Sequence, residues 1–152
     1  MFEVMAYMFR RYGLDAGSPE RATELFDELL DAGFSAPDVE RALTWMRSLA
    51  SFPRPWRGMM AAPSTSLRVP TCEEALKFTP AARGLLLRLE KGGILDETFR
   101  ELVYEKALKL DVPEIGVEEL CVLVAVLLEA GGLGTGSVCA RLLQGEIDRI
   151  HH

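Results

Sequence analysis

LLDAGFSAPDVERALTWM, residues 29–46, closes one helical pattern, turns at a glycine and opens a second helix. Gly33 stands where a left-handed residue stops a helix. Ser35 opens the next one, with Asp38 three residues on in the reciprocal capping position. Val39, Ala42, Leu43, Met46 and Leu49 or Ala50 then recur at helical spacing. Upstream, Ser18-Pro19 reads as a cap followed by proline at the first helical position, and Ala22, Leu25, Phe26, Leu29 and Leu30 form the face that helix buries. Two helices across a short turn have the form of a helix-turn-helix. DNA reading requires the first turns of the second helix to approach phosphates and base edges. Asp38 and Glu40 occupy those turns and repel a phosphate backbone, while Arg41 and Arg47 pull the other way. Packing of the two helices through Leu29, Phe34, Val39 and Leu43 is the expected role.

Towards the N-terminus, Phe2, Met5, Phe9 and Tyr12 share a helical stripe with Val4 and Met8 beside it, predicting an amphipathic helix over 2–12. Towards the C-terminus, residues 51–70 contain four prolines and end the helical pattern. Two short extended pieces there, Gly58 to Ala62 and Ser66 to Val69, suit a small hairpin across Pro63-Ser64-Thr65. Helix, helix, turn, helix, hairpin is the winged-helix order. Everything beyond is helical in pattern. Thr71 with Glu74 forms a capping box, Thr79-Pro80 opens a helix that stops at Gly92-Gly93, and Asp96 caps another that Pro113 prevents from continuing. Val117 to Ala130 is apolar nearly all round and is expected to be the central buried helix, with a terminal helix at 137–150 after a glycine-rich break. The expected architecture is therefore mainly α: a winged-helix-like N-terminal half of three helices plus a small β-hairpin (1–70), packed on a C-terminal helical bundle (71–152) as one unit.

Charge is unevenly spread along the chain. Residues 1–46 carry 4 basic and 9 acidic side chains, 47–91 carry 8 and 3, and 92–152 carry 5 and 11. A basic island thus interrupts an acidic chain. Arg54, Arg57 and Arg68 lie in it around Trp56, a mixture suited to phosphate contact with base stacking, to an acidic partner protein, or to ion pairs within the chain.

Several chemistries lack their residues. The two histidines are His151 and His152, so the commonest general base at neutral pH is missing from the body of the chain. Cys72, Cys121 and Cys139 form no CxxC pair and are expected to be reduced, mostly buried thiols. Glu73/Glu74 and Glu118/Glu119 sit near helix starts, where capping explains them better than acid–base catalysis. GGLGTGS, residues 131–137, lacks the ending of a phosphate-binding loop and follows a helix instead of a strand. The longest apolar run, Leu120 to Leu128, is nine residues, short of the roughly 20 of a membrane helix. In MFEVMAYMFRRYG, Arg10 and Arg11 follow the apolar part, unlike an export signal.

The opening MFEVMAYMF, the block LLDAGF…DVERALTWMRSL and the later LRVPTCEEALKFTPAARGLLLRLEKGGILDETFRELVYEKALKL together resemble the Smg family of small bacterial proteins. The resemblance covers roughly residues 1 to 130. Pro70, where an aromatic is usual, and the glycine-rich C-terminal end depart from the pattern. It implies no reaction, cofactor or catalytic residues. The residues themselves lead to the expectation of a non-enzymatic, cytoplasmic protein-interaction module with no metal and no cofactor. The alternative is a nucleic-acid-binding protein using the basic segment 47–91. In both cases Arg54, Trp56, Arg57 and Arg68 are the expected contacts.

Overall fold

In the computed structural model, residues 1–12, 20–50 and 69–130 are described. Seven helices are found among them: α1 (Phe2–Tyr12), α2 (Ala22–Asp31), α3 (Ala36–Ala50), α4 (Cys72–Lys77), α5 (Pro80–Lys91), α6 (Glu97–Leu108) and α7 (Val117–Ala130). The hairpin expected across residues 58–69 and the helix at 137–150 fall outside the described residues, except for Val69, which is exposed and lies in no strand.

Local signals set most of the helix ends. The Thr71 hydroxyl accepts from the Glu74 amide while the Glu74 carboxylate accepts from the Thr71 amide, closing the capping box of α4. Thr79 accepts from the Ala82 amide ahead of Pro80, and Asp96 accepts from the Phe99 amide. At α7 the Glu119 carboxylate reaches back to the Gly116 amide at 3.0 Å. Glu74 and Glu119 are thus capping groups. Gly33 (φ 95°) and Gly93 (φ 72°) take the left-handed conformation that ends α2 and α5.

α7 is the hub, packing against α1, α3, α5 and α6. Leu120, Leu123, Val124 and Val126 are fully buried, so its nearly all-round apolarity reflects neighbours on every side. Val4, Met5 and Met8 of α1 are buried where it packs on α3 and α7; Phe2 and Tyr12 are only half-buried. The buried face of α1 therefore joins Met5 of the expected stripe to Val4 and Met8, the residues expected beside it. The described start of α2 is Ala22, preceded by Arg21 with no side-chain cap, whereas Ser18 and Pro19 lie outside the described residues. Leu30, expected on the buried face of α2, is 38% exposed, because contact with α3 uses Leu25 and Leu29. Cys121 is buried, but Cys72 is exposed at the first turn of α4.

One long-range device has no local sequence signal. Phe78 leaves α4 in extended backbone and bridges Ile115 in parallel, with Ile115 N–H donating to the Lys77 carbonyl at 2.7 Å and Thr79 N–H to the Ile115 carbonyl at 3.0 Å. Beside it, the Lys77 ammonium donates to the Leu110 and Val112 carbonyls at 2.6 and 2.5 Å, closing the chain beyond the end of α6. Burial lowers the Lys77 pKa below its ordinary 10.5.

Candidate functional site: the exposed ridge of α3

The helix that the opening stretch begins presents Pro37, Glu40, Arg41, Thr44, Arg47 and Ser48 to solvent, while Val39, Ala42, Leu43, Met46 and Leu49 face the core. A concavity flanks this ridge on each side. The larger, about 680 Å³, lies towards Met1, Lys109 and Asp111; the smaller, about 380 Å³, lies towards Ala22, Thr23 and Phe26 of α2. Glu40 and Thr44 border both, so they form the crest between them.

Trp45 belongs to the wall of the larger groove. It is 6% exposed, and its indole N–H is buried with no acceptor among the described residues. A buried polar hydrogen without a partner is uncommon in native structures. Trp45 shares helical spacing with Ala42 and Leu49 of the core stripe, the one sequence signal that points to its place in this wall.

Ion pairs fix the N-terminal end of the ridge. The Asp38 carboxylate receives the Ser35 hydroxyl at 2.9 Å, the Met1 ammonium at 3.2 Å and Arg41 at 2.8 Å, and Arg41 also reaches Asp111 at 3.0 Å. Asp38 therefore closes the first turn through the serine hydroxyl, and it ties α1, α3 and the α6–α7 connection together. Hydrogen bonding from Ser35, then from the amino terminus and Arg41, lowers the Asp38 pKa below its ordinary 3.8. The unfolded chain takes up that proton near pH 3.8 and the folded chain only at lower pH, so stability falls as pH drops through this window. Asp38→Asn is expected to shrink that acid-dependent loss, measured as the difference in urea midpoint between pH 5 and pH 3. An unchanged difference would show that the network contributes nothing.

Arg54, Trp56, Arg57 and Arg68, the contacts expected from the sequence, all lie outside the described residues. Among the described residues no three His, Cys, Asp or Glu side chains are grouped to hold a metal ion, and no helix is long and apolar enough to cross a membrane.

Residues 1–151 match a family model described as a protein of unknown function, DUF494. The chain belongs to this family. Its relatives include a protein named Smg homolog from Aeromonas hydrophila, 35% identical over 131 residues, covering 84% of this chain and 83% of that one. A Smg homolog from Tolumonas auensis is 37% identical over 133 residues, and Protein Smg of Yersinia pestis is 34% identical over 133, each with the same coverage. These names identify the Smg family, and they carry no activity with them. No solved structure matches the chain.

Proposed function

We propose that this member of the Smg family is a non-enzymatic, cytoplasmic protein-interaction module that presents the ridge of α3 to a partner protein. The observation that carries this reading is the pair of grooves sharing Glu40 and Thr44, a raised crest with a concavity on either side. Such relief suits a partner that inserts side chains on both flanks of one helix. In the same reading, α2 and α3 belong to a winged-helix-like half. The basic segment carrying Arg54, Trp56, Arg57 and Arg68 follows α3 in the sequence and would supply flanking contacts to an acidic surface.

Nucleic acid is the alternative ligand for that basic segment. Glu40 on the crest, and Arg41 held between Asp38 and Asp111, favour protein over phosphate at the helix itself.

A photoreactive amino acid at Thr44, in cells producing the chain, tests the proposal. A discrete protein adduct is expected at Thr44 and not at Leu76 on α4, and Glu40→Arg is expected to reduce it at least fivefold. Nuclease-sensitive adducts, strengthened by Glu40→Arg, would instead establish the nucleic-acid reading. Equal labelling at both positions would remove the α3 ridge as a contact surface.

A further inference from the structure

A third concavity, on the opposite half of the chain from the α3 ridge in sequence, lies between α5 and α6 and is independent of the function proposed above. Its volume is about 310 Å³. Pro80, Leu87 and Tyr104 supply apolar wall, and Arg83, Glu90 and Arg100 supply charge. The charges are unequally matched. Arg100 is 3% exposed and donates to Glu90 through a short contact, with Glu101 at 3.1 Å as a further partner. Glu90 is therefore compensated within the fold. Arg83 has no such partner: its Nε is buried and meets no acceptor among the described residues. A partly apolar trough is thus left with one guanidinium N–H that meets no acceptor among the described residues.

Gly84 lines the same trough, in the interior of α5. Glycine is less favourable than alanine inside a helix. Nothing in the fold demands it here, since it is not among the positive-φ glycines and an added Cβ would meet only Arg88 Nη1, at an ordinary 3.6 Å. Missing side-chain volume at this position leaves the trough open and exposes helix backbone to whatever fills it.

We propose that this trough is a binding site for a small amphiphilic monocarboxylate, its alkyl part lying along Pro80, Gly84, Leu87 and Tyr104 and its carboxylate on the Arg83 guanidinium. The volume falls at the lower end of the roughly 300–1,000 Å³ of small-molecule pockets, enough for a medium-length acyl chain. An ionised carboxylate also provides the acceptor that a guanidinium binds most strongly.

Octanoate, octanol and octylamine, each titrated into the full chain by calorimetry below micelle-forming concentrations, test the assignment. Octanoate is expected to bind at least tenfold tighter than the other two, and Arg83→Gln to weaken it about tenfold. Gly84→Leu is expected to abolish binding. Because that variant could fail to fold, Gly84→Ala serves as the second: it is expected to raise the melting temperature while weakening octanoate at least twofold. Binding of octanol as tight as octanoate, or octanoate affinity unchanged in Arg83→Gln or Gly84→Ala, would overturn the site. Tighter binding of a hexapeptide ending in a free leucine carboxylate would overturn the small-molecule assignment in favour of a peptide C-terminus.

Discussion

Phe78→Ala is expected to cost the fold about 3–5 kcal/mol, the range for truncating a buried aromatic side chain. Phe78 is among the largest fully buried side chains and meets Tyr104 of α6 edge-on, with ring centroids 5.4 Å apart and an interplanar angle of 85°. Its backbone is the parallel bridge to Ile115, so the side chain anchors a place where the α4–α5 connection is stitched to the segment before α7. A cavity there faces several elements, which limits how far the site can collapse. Urea unfolding measures the effect as a lower midpoint at unchanged slope. Leu76→Ala is the control two residues earlier: that side chain is 73% exposed, and its loss is expected within about 0.5 kcal/mol. Equal midpoints for the two variants would remove the bridge from any role in stability.

Arg100→Met is expected to cost about 3 kcal/mol, the lower end of the range for removing one partner of a buried ion pair. The guanidinium is nearly inaccessible, and its partner Glu90 has a side chain 17% exposed. Removing the cation leaves that carboxylate mostly buried and without its ion-pair partner. Glu97 at 3.7 Å and Glu101 at 3.1 Å are more exposed, at 59% and 44%, so water replaces most of what they lose and holds the cost near the lower bound. Adding Glu90→Gln to Arg100→Met is expected to recover at least half of the loss, because the double variant no longer strands a charge. A single variant as stable as the parent would mean that the guanidinium is not buried as described. A double variant no better than the single one would place the cost in packing instead of charge.

Much of the helical framework was legible from residues close together in sequence. Thr71 with Glu74, Thr79 with Pro80, Asp96 with Phe99, and the glycines at 33 and 93 act within a turn or so of themselves, and the structure shows each at the helix end it marks. Val117 to Ala130 announced its burial because an apolar surface on all sides has no stable arrangement except enclosure. Leu30 was misjudged for a related reason: spacing defines a stripe, but the width that is buried depends on the helix laid against it. The candidate site was less legible. Trp45 shares helical spacing with Ala42 and Leu49, yet nothing local says that its N–H will lack an acceptor or that Lys109 and Asp111 will stand across the groove.

The sequence by itself determined where most of the described helices begin and end, which face of each is apolar, and that α7 occupies the centre, because caps, turns and periodicity are short-range physics. Only the tertiary structure decided which charges meet and which surfaces stay open. Arg41 finds Asp111 across the α6–α7 connection, Arg100 finds Glu90 on α5, Phe78 finds Ile115, and Arg83 finds no acceptor for its Nε among the described residues. Each of these depends on how helices distant in sequence settle around α7, and a local pattern carries no record of its neighbour in space.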